Sequence, residues 1–198
     1  MSPTNVIGVD EAGRGPLAGP VAVAAVMVPE GFNVVKEFPD VKDSKLLTSA
    51  KREEIYKEVL ARSRVGEIQF CVRFSDRVYI DEFGITRAVR RAVARCVIAV
   101  APSAEGVRVF LDGLLYAPSR YEQETIINGD ALVPIISLAS VLAKVKRDEL
   151  MRKYGRMFPD YGFEVHKGYG TKRHREAIRK FGLCAIHRIT YSQKFAIF

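Results

Sequence analysis

An α/β fold is what this sequence predicts, and three observations predict it. Short apolar, β-branched runs at 5–10, 20–28 and 107–111 have the length of strands. Longer stretches at 49–64, 84–101 and 137–154 carry apolar residues at helical spacing. The helical stretch at 84–101 leads straight into the run at 107–111, which suits a crossover between parallel strands. With 198 residues, 48% of them hydrophobic, the chain is long and apolar enough for a full core.

Taken in order, 5–10 reads as the first strand and ends in Asp10-Glu11. The link to 20–28 is short, so these two strands are expected to pair antiparallel. Gly13-Arg14-Gly15 and Gly19 loosely resemble a dinucleotide fingerprint, but Pro16 and Pro20 intervene and a strand follows, whereas that fingerprint opens a helix. Residues 29–48 read as loop and contain Lys42-Asp43-Ser44-Lys45, where a lysine beside a serine can hold a phosphate. In the helix at 49–64, Ile55, Tyr56, Val59 and Leu60 share a face. Residues 67–74 alternate, with Ile68, Phe70, Val72 and Phe74 on one side, as a half-buried strand does.

Ser75-Asp76 suits the cap of a short helix. The helix at 84–101 places Ala88, Val89, Ala92, Val93 and Cys96 inward and Arg87, Arg90, Arg91 and Arg95 on a solvated face. The strand at 107–111 meets Asp112-Gly113, and Ile126-Ile127-Asn128-Gly129-Asp130 repeats the order strand, acid, glycine. A further short strand is expected at 133–136, then a helix over 137–154. Thr171 caps a helix running through Phe181. The tail from Ile186 carries no assignable pattern.

No apolar run approaches the roughly 20 residues that span a bilayer. No signal-peptide pattern precedes the first strand. The expectation is a soluble, cytoplasmic protein with no membrane partner. Cys71, Cys96 and Cys184 are odd in number and lack metal-ligand spacing; Cys71 and Cys96 read as small core residues. Net charge is +8, and it is unevenly placed: residues 144–198 carry 14 Lys/Arg against 5 Asp/Glu, the rest 17 against 18. A basic end on a body with an acidic site points to a polyanionic partner, nucleic acid foremost, against the plainer reading of a solvated basic surface.

Asp10 with Glu11, Asp112 and Asp130 each follow a strand. If those strands are neighbours with one direction, the acids converge at the sheet edge where α/β folds bind ligands. Buried charge is costly unless paired or bound to metal, and all-oxygen ligands favour Mg²⁺ or Mn²⁺ over Zn²⁺. Two such ions about 3.5–4 Å apart can clamp the attacking water and leaving oxygen of a phosphodiester. Acids after strands also serve as helix caps and turn formers, so the pattern alone leaves both readings open.

Six motifs narrow the choice: Asp10-Glu11-Ala12-Gly13-Arg14-Gly15-Pro16, Asp43-Ser44-Lys45, Leu111-Asp112-Gly113, Asn128-Gly129-Asp130, Ser140-Val141-Leu142-Ala143-Lys144-Val145 with Arg147-Asp148, and His166-Lys167-Gly168-Tyr169. In this order and spread over nearly the whole chain, they resemble type 2 ribonuclease H, the bacterial ribonuclease HII family. The resemblance implies a ribonuclease H-like fold: a mixed central sheet flanked by helices, with a helical C-terminal extension. It implies one catalytic domain over 1–198, with the basic extension starting near 155. It implies an endoribonuclease that cleaves the RNA strand of RNA–DNA hybrids and incises 5′ of single ribonucleotides in duplex DNA, leaving a 3′-OH. Asp10, Glu11, Asp112 and Asp130 would then be the catalytic, metal-binding acids of a two-metal Mg²⁺ or Mn²⁺ site. Gly13, Arg14 and Gly15 would read the ribose 2′-OH, the group that tells RNA from DNA. Tyr169 would pack on the sugar at the RNA-to-DNA junction. Ser44, Lys45 and Lys144 would contact phosphates. The expected state is a monomer acting in ribonucleotide excision repair.

Two departures stand out. Asn128 occupies a position where the family usually has lysine, and Ile136 and Leu138 flank Ser137 where it usually has alanines. The first is expected to weaken one phosphate contact and the second reads as repacking. No extension of the type 3 branch precedes the first strand, so type 2 is expected. His166 is divided between substrate contact and loop structure, and His174 and His187 are expected to be surface or structural. Asp148 is expected to pair with a basic neighbour, Asp43 to shape its loop, and Arg14 either to anchor its loop or to meet substrate. Two rivals remain: a ribonuclease H-like nuclease for DNA junctions or integration, and a non-catalytic nucleic-acid-binding module. Dependence on a 2′-OH separates the first, and loss of activity on chelation the second.

Overall fold

The computed structural model describes residues 4–43 and 46–195. Five strands, β1 (Asn5–Ala12), β2 (Val21–Pro29), β3 (Gln69–Ser75), β4 (Val107–Asp112) and β5 (Glu122–Ile126), form one sheet of order β3-β2-β1-β4-β5. β1 pairs antiparallel with β2 and parallel with β4; β2–β3 is antiparallel and β4–β5 parallel. The sheet is therefore mixed, as expected. The helices are α1 (Val34–Glu37), α2 (Ser49–Arg64), α3 (Arg77–Val100), α4 (Gly129–Leu132), α5 (Pro134–Met157), α6 (Phe163–His166), α7 (Lys172–Phe181) and α8 (Ile189–Ser192).

The central strands are buried on both faces, which is why β1 and β2 read as continuous apolar runs rather than alternating ones. Ile7, Val9, Val21, Val23 and Ala25 face α3, joining Ala88, Val93 and Val97 in one cluster. Ala24, Val26 and Val28 face the other way, toward Ile55 and Val59 of α2 and Leu138 and Leu142 of α5. Gly8 allows the start of α5 to lie directly on β1: a Cβ there would sit 2.3 Å from the Ile135 carbonyl oxygen. A third cluster, including Met151, Tyr161, Phe163, Ala177 and Ile186, joins the C-terminal segment to the end of α5.

Two expectations are corrected. Residues 133–136 are not a strand; Pro134 opens α5, its missing N–H costing nothing at a helix start. A short apolar run cannot by itself separate strand from buried helix. The stretch 29–48 is not all loop, since it holds α1 and a 3₁₀ turn at Pro39–Asp43. The expected cap and short helix are present: the Asp76 carboxylate accepts from the Tyr79 N–H, and the helix it opens at Arg77 joins the arginine-rich helix across a kink at Gly84 (φ 80°, ψ 159°). The tail also has structure, with α8 and a 3₁₀ turn at Gln193–Phe195.

Candidate active site

β1 and β4 run in the same direction, and their pairing ends at Val9 opposite Leu111. Those two side chains face α3. One residue further, alternation turns Asp10 and Asp112 together onto the α5 side. Ser140 of α5 there makes a side-chain hydrogen bond with the Asp10 carboxylate. Asp10 and Glu11 are still paired to β2, opposite Ala24 and Val23, so they lie within β1 rather than beyond it. Asp112 is the last residue of β4. Asp10, Glu11 and Asp112 each offer an oxygen within 4.8 Å of the others.

Asp130 arrives differently. It lies in the first turn of α4, four positions beyond β5, after Asn128 in a left-handed conformation (φ 56°). Asparagine tolerates that backbone better than lysine does, which gives the departure at Asn128 a local reason. The Asp130 N–H donates to Asp112 Oδ1 at 3.2 Å, and its side chain lines the same cleft as the other three acids.

The cleft holds about 380 Å³. Its electrostatics are those of a cation site. Asp10 is 4% exposed, and burial first, then the Glu11 charge, hold its carboxyl well above the usual range; Asp112 adds to this. Burial likewise raises Glu11, opposed by the Arg14 guanidinium, whose Nη1 lies 3.2 Å from Glu11 Oε1. The second oxygen, Oε2, is buried and accepts no hydrogen bond. An orphaned carboxylate oxygen among crowded acids fits a hard divalent ion with oxygen ligands, the donor set for Mg²⁺ or Mn²⁺.

The predicted substrate residues are partly gathered here. Gly13, Lys144 and Tyr169 line the acid cleft. Lys144 is held by both oxygens of Asp148, at 2.7 and 2.9 Å, so the expected salt bridge of Asp148 falls on the predicted phosphate contact. Tyr169 is 45% exposed and its ring lies 5.9 Å from the Arg147 guanidinium carbon. Arg14 borders a neighbouring hollow with Arg90, Leu114 and Tyr116, and Gly15 a groove with Tyr191 and Lys194. The turn thus spans three depressions rather than one. Ser44 and Lys45 lie outside the described residues.

Four residues that shape the site have no role assigned from sequence: Ser140 and Arg147 stand there only within a motif, and neither Arg52 nor Arg188 is singled out. Ser140 and Arg52 line the cleft. Arg147 and Arg188 are fully buried. Arg147 donates to the Pro20 and Ala18 carbonyls at 3.0 and 3.3 Å. Arg188 donates to those of Gly13, Arg14 and Gly19. A buried arginine carries no local sequence signal, since arginine is normally exposed. The sidedness of α5 offered a hint, because Arg147 falls on its inner face.

Comparison with known proteins agrees with this geometry. The family described as Ribonuclease HII matches residues 7–194. Ribonuclease HII of Syntrophus aciditrophicus is 44% identical over 191 residues, covering 96% of this chain and 84% of that protein. The ribonuclease H2 from Pyrococcus horikoshii OT3 shares the fold with a TM-score of 0.74 and 24% identity, covering 96% of both chains. Bst-RNase HIII in complex with Mn²⁺ does so with a TM-score of 0.72 and 19% identity, covering 98% of this chain and 70% of that one. With the mixed sheet and the acid cluster at its edge, these likenesses place the chain in the ribonuclease HII family, metal-dependent type 2 ribonucleases H that cleave the RNA strand of RNA–DNA hybrids.

Proposed function

We propose that this enzyme, besides degrading hybrids, incises duplex DNA 5′ of a single embedded ribonucleotide and leaves a 3′-OH. The observation that carries this reading is the convergence of the acids, Gly13 and Tyr169 on one cleft. Asp10, Glu11, Asp112 and Asp130 would hold Mg²⁺ or Mn²⁺, as the Mn²⁺ complex of Bst-RNase HIII suggests by likeness of fold. Bound there, the ions would lower the pKa of the attacking water and stabilise the leaving 3′-oxygen.

The chain's own groups do the rest. Gly13 brings backbone to the cleft without a side chain in the way, so that Gly13, Arg14 and Gly15 can meet a ribose 2′-OH at hydrogen-bond range. Tyr169 presents a ring to the sugar next to the scissile phosphate. Lys144 is oriented by Asp148 toward a phosphate, and Ser44 and Lys45 take another. The basic segment from about residue 155, one domain with the rest, holds the duplex backbone regardless of sequence. The working form in this reading is a cytoplasmic monomer acting in ribonucleotide excision.

The test uses duplexes that differ by one 2′-OH. Incision should occur only with the ribonucleotide present, vanish on chelation and return with Mg²⁺ or Mn²⁺. Asp112→Asn should abolish cleavage while substrate binding stays near normal. Tyr169→Ala should lose junction incision at least tenfold. Cleavage of the all-DNA duplex would move the assignment to a DNA-junction nuclease. Activity that survives chelation would overturn the metal reading.

A further inference from the structure

All three histidines of the chain meet in one buried cluster beneath the Tyr169 loop. His166 and His174 stack, with ring centroids 4.4 Å apart and planes 14° apart. Phe163 packs edge-on against both. His174 Nε2 and His187 Nε2 lie 3.0 Å apart. These rings do more than fill space, because their hydrogen bonds define where every proton sits.

The chain of bonds has one consistent solution. His174 Nδ1 lies 2.9 Å from the Tyr169 carbonyl oxygen, which only accepts, so Nδ1 carries the proton. His174 Nε2 is then an acceptor, and His187 Nε2–H donates to it. His187 Nδ1 is left as an acceptor, so it takes the Cys184 N–H at 2.9 Å and does not donate to the Cys184 carbonyl oxygen 3.3 Å away. His166 follows the same logic: Nε2–H donates to the Tyr161 carbonyl at 2.7 Å, and Nδ1 accepts from the Gly168 N–H at 3.2 Å. Each ring is neutral with one proton, and each ring nitrogen has a partner.

The chain ends on Tyr169. Its carbonyl accepts from His174 and, at 2.8 Å, from the Thr171 N–H, and its own N–H donates to the His166 carbonyl at 2.9 Å. A histidine thus takes part in holding the Tyr169 peptide groups at both ends, beside the Thr171 N–H at the carbonyl, while its ring stays exposed in the acid cleft. The neighbouring backbone is fixed too. The Gly168 carbonyl accepts from the Leu17 N–H, and a Cβ at Gly168 would lie 2.3 Å from the Ala18 carbonyl oxygen.

We propose that His174 and His187 are positioning residues: a two-imidazole relay anchored on the Cys184 amide that fixes the Tyr169 backbone so that its ring meets the substrate sugar in one orientation. The proposal rests on the reading of Tyr169 as the junction-sensing residue. It links the C-terminal segment, which supplies His187, to junction selectivity. Holding the backbone rather than the ring leaves the ring surface open to substrate, and pre-ordering it reduces what substrate must order on binding.

Two half-isosteres separate positioning from packing. His174→Asn keeps a donor near the Nδ1 position, and so the bond to Tyr169, but loses His187. His174→Gln keeps a polar atom near Nε2, and so the link to His187, but leaves the Tyr169 carbonyl with the Thr171 N–H alone. Both remove the ring and should lower Tm alike. The relay predicts that the ratio of junction incision to uniform-hybrid cleavage falls at least tenfold further in the glutamine variant than in the asparagine variant, in kcat more than in KM. Equal ratios in the two would overturn it. Tyr169→Ala is the reference arm: if that variant keeps junction incision, the reading of Tyr169 fails. If it loses incision while the glutamine variant does not, the relay alone fails. A second measurement needs no variant. Long-range ¹H–¹⁵N correlation on the wild-type protein at neutral pH should show His174 protonated on Nδ1, and His166 and His187 on Nε2. His174 as the Nε2–H form would sink the proposal.

Discussion

The Arg188 guanidinium donates to the Gly13 carbonyl oxygen at 2.6 Å, tying the C-terminal segment to the turn that follows the two strand acids. It also reaches the Arg14 carbonyl at 2.7 Å and that of Gly19 at 2.9 Å. Burial, then the nearby Arg147 charge, push its pKa down to about 10, so it remains protonated at neutral pH. A fully buried cation is here solvated by carbonyl dipoles.

Arg188→Met should therefore cost more than a core truncation of similar size. Three carbonyls lose a charged donor, and unsatisfied buried acceptors cost about 1–3 kcal/mol each. We expect a loss of about 3–5 kcal/mol in urea unfolding, with cleavage falling beyond what the unfolded fraction explains. A loss under about 1 kcal/mol would show that the carbonyls find other donors.

Asp10→Asn should trade activity for stability. Asp10 is buried beside Glu11 and Asp112, which raises the cost of its charge. Without divalent ions, the asparagine variant should be more stable by about 1 kcal/mol or more. It should also lose cleavage. Added Mg²⁺ or Mn²⁺ should raise the Tm of the wild type and have little effect on the variant; an equal rise in both would place ion binding elsewhere.

The histidine cluster predicts an acid-sensitive fold. Burial pushes His174 and His187 down to about 4, from an ordinary value of 6.5; His166 lowers His174 further, and His174 and His166 lower His187. Between these values the unfolded chain binds protons that the folded one does not, so stability is full above pH 6.5 and falls as pH drops toward 4. The loss can reach about 3 kcal/mol per ring. Unfolding free energies measured from pH 7 to 4.5 should fall steadily; a flat profile over that window would contradict the neutral cluster.

Gly13→Ala should disable the turn. Gly13 has φ 93°, and a Cβ would lie 2.0 Å from Arg147 Nε. Relieving that clash means moving a buried arginine away from the Pro20 and Ala18 carbonyls. A loss of about 2 kcal/mol or more and a matching fall in cleavage are expected. A fully active variant would mean that the turn has room to shift.

The sequence by itself determined the α/β class, the antiparallel start and the long crossover helix, because hydrophobic periodicity is local and strong at 20–28, 84–101 and 107–111. It also marked the four acids, since a carboxylate ending an apolar run stands out against its neighbours. Short apolar runs such as 133–136 were ambiguous, because a buried helix start and a buried strand share a composition. The tertiary structure alone decided that β1 and β4 are neighbours in a register that turns Asp10 and Asp112 onto one face. It alone brought Asp130 to them from a different kind of element, and gathered three histidines and two buried arginines behind the turn and the Tyr169 loop. Those relationships depend on contacts between residues far apart in the chain, such as Arg188 with Gly13. No local pattern records them, because what stabilises a buried polar group is its partner, and the partner lies elsewhere in the sequence.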